Sequence, residues 1–163
     1  MKTGKMGLWV TVFGALILAA SAASASKARN VIAGIWEFDA AQSTVTGRPA
    51  YKSAKLVITA IKRGSKFVGD FVGADGKTIH VEYSGPADGS DVAVSGSAMF
   101  DSVTMLEPDS HTLIRTERRS GKVVGTTIAT LAKDGKSFSA SGRGTGPDGH
   151  QYTFTNVWKR VKK

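Results

Sequence analysis

From residue 26 onward, short segments of alternating apolar and polar positions, rich in Val, Ile, Thr, Phe and Tyr, are separated about every ten to twelve residues by Gly, Asp, Ser and Asn. Such alternation marks half-buried strands, because successive side chains point to opposite faces of a sheet. It predicts strands over 32–38, 54–61, 66–72, 78–84, 92–95, 102–106, 112–118, 122–132, 137–143 and 152–160. No segment keeps a helical period. The long polar stretch 39–50 is the place where a single short helix fits.

The turns suggest how these strands pair. Asp-Gly tolerates the positive φ angles of a two-residue type I′ turn, whose twist matches a hairpin. Asp75-Gly76 and Asp134-Gly135 carry that signal, and Ser120-Gly121 and Asp148-Gly149 resemble it, with 142–149 a longer loop as the alternative. Consecutive hairpins make an all-β, single antiparallel up-and-down sheet, and about eight to ten strands close into a barrel so that no edge stays unpaired. With two-residue turns, Leu131 faces Phe138, Ala129 faces Ala140 and Ile114 faces Thr127, which puts Val123, Gly125 and Val157 on their side. The other side then collects Leu113, Arg115, Glu117, Thr126, Ile128, Ser139, Ser141, Arg143, Phe154, Asn156 and Trp158.

The first 25 residues read differently. Lys2 and Lys5 precede an apolar run over 7–20, followed by Ala20-Ser21-Ala22 and Ala23-Ser24-Ala25. This is the pattern of a secretory signal peptide, shorter than the roughly 18 to 20 apolar residues of a spanning helix. The expectation is cleavage after Ala25, a single domain over 26–163, and a periplasmic or extracellular protein. Removing Lys2 and Lys5 leaves 20 basic residues against 13 acidic ones, a net charge of +7. Those charges are spread along the chain, with the densest runs at 115–119 and 159–163, so nucleic acid is not the expected partner. A cationic surface allows weak contact with anionic envelope surfaces, without stable membrane insertion after cleavage. The absence of cysteine excludes disulfides, thiol catalysis and Cys-based zinc sites.

Two further segments carry a family likeness. The first strand contains Gly34-Ile35-Trp36 and the last ends Val157-Trp158-Lys159-Arg160. This resembles the calycins, the lipocalin and fatty-acid-binding protein group, whose Gly-x-Trp packs beneath the barrel against a basic residue of the last strand. The wider wording, Gly34 to Ser43, Asp75 to Tyr83 and Gly121 to Gly125, is similar to small secreted bacterial lipocalin-like proteins. The resemblance implies that Gly34, Trp36 and Arg160 (or Lys159) close one end of the barrel, with a cation over the indole ring.

Chemistry in the remaining residues is sparse. His80 and Glu82 are two apart on a strand and point the same way, but Thr78, His80, Glu82 and Ser84 alternate with Ile79, Val81 and Tyr83, as on a solvated face. There is no Gly-x-Ser-x-Gly elbow, and the glycines of 142–149 lack the helix that a phosphate loop needs. No catalytic residue, metal site or cofactor is assigned. The sharper candidate is the set Arg115, Arg143, Phe154, Trp158, Leu113 and Ile128. If its face is the interior, two guanidinium groups hold a carboxylate while Leu113 and Ile128 contact an apolar tail. If it faces water, which suits Glu117 and the many Ser and Thr, the charge-free side packs a narrow core. The expected function is an exported, non-enzymatic carrier of a small hydrophobic or amphipathic molecule, an anion if the arginine pair lines the interior. The alternative is an envelope-associated interaction module with no cavity.

Overall fold

The computed structural model describes residues 31–161, so the segment 1–25 lies outside the described residues. Ten strands follow one another: β1 (Gly34–Thr46), β2 (Ser53–Ile61), β3 (Gly64–Val72), β4 (Thr78–Pro86), β5 (Val92–Ala93), β6 (Ser102–Leu106), β7 (Thr112–Arg119), β8 (Lys122–Leu131), β9 (Ser137–Thr145) and β10 (Gln151–Arg160). Each coincides with a segment whose alternation predicts a strand. In β2, for example, Ala54, Leu56 and Ile58 are buried while Lys55, Val57 and Thr59 are exposed.

All neighbours are antiparallel, and the first strand pairs with the last, giving the order β4-β3-β2-β1-β10-β9-β8-β7-β6-β5. The two ends of that order meet at a bridge between Glu82 and Ser95. Glu82 N–H donates to Ser95 O at 3.0 Å, and Ser95 N–H donates to Glu82 O at 2.9 Å. The sheet is thus a nearly closed barrel, which leaves little edge exposed.

The stretch 39–50 is not helical, contrary to the expectation from its polarity. β1 continues through it with an irregularity between Asp39 and Thr44, where three extra residues bulge out of the ladder with β10. Ser43 repairs the gap: its hydroxyl donates to Asp39 O at 2.7 Å and accepts from Val157 N–H at 2.9 Å. Side-chain hydroxyls that satisfy stranded backbone groups let such a bulge persist inside a sheet.

Three of the Asp-Gly and Ser-Gly hairpins differ from the two-residue turn in a way that changes which face is inside. At Asp148-Gly149 the loop has three residues, closed by Gly146 N–H to His150 O at 2.9 Å, with Gly149 at φ 83° and Asp148 Oδ1 accepting from His150 N–H at 3.0 Å. Asp75-Gly76 is built alike, closed by Gly73 N–H to Lys77 O. At Ser120-Gly121 the turn itself has two residues, but Glu117 then pairs with Gly125 while Arg118 pairs with Val123, so Val124 bulges. Each event shifts its register by one residue, and a one-residue slip turns a whole strand over. Arg115, not Ile114, therefore stands opposite Thr127, and Trp158 opposite Phe138. Val157 consequently leaves the side of Phe138. Asp134-Gly135 keeps the expected parity, with Leu131 opposite Phe138 and Ala129 opposite Ala140.

Candidate functional site

The interior is closed at one end. Trp36 is fully buried there, its Nε1–H donating to Ile32 O at 2.9 Å. The Arg160 guanidinium lies 4.0 Å from the centre of the Trp36 ring. Its Nε donates to Gly135 O at 2.7 Å and its Nη1 to Ala33 O at 2.9 Å. A Cβ on Gly34 would collide with that guanidinium, which is why the residue two before the Trp is glycine. Lys159 points outward and pairs with Asp39 at 2.7 Å, and that hydrogen bond holds the Asp39 carboxyl below its ordinary range. Of the two basic residues considered for this end, Arg160 is the one over the indole.

Above this end, aromatic rings form a connected wall. Trp36 meets Phe138 edge-on at 4.8 Å, Phe138 stacks with Trp158 at 5.9 Å, Trp158 meets Phe71 at 6.3 Å, and Phe71 meets Tyr51 at 5.0 Å near the other end. Between the walls lies a cavity of about 220 Å³, lined by Leu56, Ile58, Phe67, Val81, Leu113, Ala129, Ala140, Phe154 and Trp158 among others. Ala129 and Ala140 stand side by side on β8 and β9, and their short side chains leave part of this space free. Toward the open end the cavity meets a vestibule of about 500 Å³ framed by residues 47–51, 73–75 and 146–150. Arg48, Tyr51, Ile79, Met99 and Tyr152 belong to both.

Three polar features interrupt the apolar lining. First, Arg115 donates from Nε and Nη2 to Glu117 Oε1 at 3.1 and 2.6 Å, from Nη1 to Tyr83 Oη at 3.1 Å, and from Nη2 to Thr127 Oγ1 at 3.4 Å. Thr127 in turn donates to Glu117 Oε1 at 2.9 Å. Glu117 is only 3% exposed, and Gly125 lets its other oxygen lie against the β8 backbone. Burial works against the charge on Arg115, but Tyr83 and Glu117 outweigh it and keep the guanidinium protonated. Burial also raises the Tyr83 phenol above its ordinary value, against the pull of Arg115. Second, Arg48 lies over the rings of Tyr51, Tyr152 and Phe154 at 4.9, 5.0 and 5.7 Å. Its Nε is buried without a hydrogen-bond partner among the described residues. Third, the Asn156 side chain is buried in the cavity wall.

The expected site set is divided by the barrel wall. Leu113, Arg115, Phe154 and Trp158 do line the cavity together. Arg143 and Ile128 do not: both are exposed on the outer surface, Ile128 at 47%. The bulge at Val124 and the three-residue loop at 147–149 are two one-residue slips on either side of the β8–β9 hairpin. Together they bring β7 and β10 to the face opposite Arg143. The paired-arginine clamp is therefore not formed, and Arg115 already has a carboxylate partner. Nor is the arginine-bearing face solvated, because Arg115 and Glu117 pair inside. Arg48 was hidden in the sequence by the polarity of 39–50, its one local signal being the run Gly47-Arg48-Pro49 just before Tyr51.

His80, Glu82 and Asp70 sit on the outer surface, with His80 Nδ1 2.7 Å from Asp70 Oδ1 and Lys66 Nζ 2.9 Å from Glu82 Oε1. The salt bridge to Lys66 holds the Glu82 carboxyl below its ordinary value. His111 and His150 are exposed in loops. Among the described residues no cluster of three or more His, Asp or Glu is placed to hold a metal ion, and no helix is long and apolar enough to cross a membrane.

No family model matches the chain, and no curated protein matches it. Among solved structures it is similar to zebrafish ileal bile acid-binding protein complexed with cholic acid, at 11% identity over 81% of this chain and 100% of that one, with a TM-score of 0.47.

Proposed function

We propose that this protein is an exported, calycin-type barrel that binds a small amphipathic anion without transforming it. The observation that carries the reading is Arg48, a cation at the mouth of an apolar cavity, held by three aromatic faces and with a buried Nε that has no partner among the described residues. A guanidinium in that setting keeps most of its donors for an incoming group, and it recognises a carboxylate best through two parallel hydrogen bonds. The apolar tail of such a ligand lies below it along Phe71, Phe138 and Trp158. The cavity favours this carrier reading over a module with a solid interior. The calycin-type reading draws support from the ten-strand meander and the cation over Trp36. Export rests on the leader pattern of residues 1–25, and N-terminal sequencing of the protein recovered outside the cytoplasm tests it.

Calorimetric titration with decanoate and with decanol tests the site. Decanoate should bind the more tightly, and Arg48→Ala should remove about tenfold or more of that affinity, equivalent to one lost charge-assisted contact. Equal binding of decanoate by the wild type and Arg48→Ala would overturn the assignment.

A further inference from the structure

The aromatic face of β10 contains one residue that an apolar carrier does not need. Tyr152, Phe154, Asn156 and Trp158 all point inward, and Asn156 is nine-tenths buried among them. It stands opposite Ala140 on β9, which stands opposite Ala129 on β8, so the amide faces space that two short side chains leave open. Its side chain forms no hydrogen bond with another described residue, although it is not sealed from the cavity it lines. An amide placed in this way has no partner among the described residues and only the cavity to face, so an apolar residue of similar size would serve packing better.

The geometry points to Asn156 as an inner polar station that recognises a second, uncharged hydrogen-bonding group on the ligand, a hydroxyl or a carbonyl. The amide both donates and accepts, so it serves either. Arg115 is not an equivalent station, because Glu117, Thr127 and Tyr83 take four of its five donors. This inference rests on the reading of Arg48 as the anion site and adds to it the ligand class: an oxygenated amphiphile, not a plain hydrocarbon acid. Asn156 lies two and four residues along β10 from the rings beneath Arg48, or about 7 to 13 Å at ~3.3 Å per residue. The second polar group should therefore sit well down the chain from the carboxylate.

The test is a series of decanoates carrying one hydroxyl at successive carbons out to the chain end, titrated calorimetrically into the wild-type protein, with decanoate as reference. One position should bind about tenfold more tightly than decanoate. Asn156→Leu should flatten that peak. A wild-type profile with no peak, as expected of an amide that only anchors water, would overturn the inference while leaving the Arg48 assignment intact. A peak that survives in Asn156→Leu would place the polar contact elsewhere and also overturn it. Absence of binding by every probe would remove the anion site and the inner station together. The wild-type series keeps the proposal open to refutation even if Asn156→Leu does not fold.

Discussion

The two ends of the barrel each place an arginine on aromatic rings, and the two arginines are used in opposite ways. At the closed end, Arg160 lies over Trp36 and spends two of its donors, Nε on Gly135 O and Nη1 on Ala33 O, which ties the last strand to the residue just before β1 and to the β8–β9 loop. At the open end, Arg48 has three ring faces and, among the described residues, no hydrogen-bond partner for its Nε. The cation–π contact alone does not distinguish a structural arginine from a binding one. The number of donors still unspent does, because a buried donor without a partner costs stability unless something else occupies it.

The comparison breaks most directly at the closed end. Trp36→Ala should destabilise the protein by about 3 to 5 kcal/mol, the range for removing a large buried aromatic, in equilibrium urea unfolding. Arg160→Ala should cost about 2 to 4 kcal/mol through two lost charged hydrogen bonds and the ring contact. If Arg160→Ala melts like the wild type, its bonds to Ala33 and Gly135 do not hold the strands together.

The buried pair in the cavity wall supplies an intermediate case. Glu117→Ala should cost about 3 to 5 kcal/mol, because it leaves Arg115 charged and unpaired. Replacing both partners, Arg115→Met with Glu117→Leu, should recover most of that loss. A double variant as unstable as the single one would mean that Arg115 and Glu117 are not coupled in the manner their 2.6 Å contact indicates.

The existence of every strand was legible in the sequence, because alternation reports burial over several residues at once. Which face was inside was less legible, because parity depends on single residues. Asp148-Gly149 forms a three-residue loop, in which only the Gly adopts positive φ, where a type I′ turn was the simplest expectation. Neither that loop nor the unpaired Val124 leaves a hydrophobic signature. Leu113, Arg115, Phe154 and Trp158 stayed together because the two slips compensate across β8 and β9. Arg143 and Ile128, which belong to those two strands, did not follow them inside. Glu117 suggested a wet face because a carboxylate two residues from an arginine on one strand fits a solvent-facing pair as well as a buried one. Asn156 was visible as the polar member of an aromatic face, but its lack of a partner is a three-dimensional fact.

At the open end the expected effect on stability is smaller. Arg48→Ala should change the unfolding free energy by no more than about 1 kcal/mol, the scale of cation–π contacts near a surface. The contrast with Arg160→Ala is the content of the comparison. If Arg48→Ala were as destabilising as Arg160→Ala, Arg48 would be another structural tie, and the affinity loss expected for decanoate would have to be reread as a loss of fold.

The smallest expected effect belongs to a group at the closed end that is itself only partly satisfied. Glu107, in the β6–β7 loop at that end, has one carboxylate oxygen buried without a partner among the described residues, while a backbone bond from Val31 partly offsets the burial. Burial raises its pKa above the ordinary 4.5. A carboxyl whose folded value is raised favours the folded state when protonated, so its contribution is fully present below the unfolded value and is lost as pH rises through the folded one. At neutral pH the charged form therefore costs stability, and Glu107→Gln, which keeps an acceptor for Val31, should stabilise by no more than about 1 kcal/mol after solvent screening. Thermal unfolding from pH 3 to pH 8 gives the sign: the advantage of Glu107→Gln should be present at neutral pH and vanish as the pH falls below the carboxylate range. A variant less stable than the wild type at pH 7 would show that the Glu107 charge is satisfied in the folded protein.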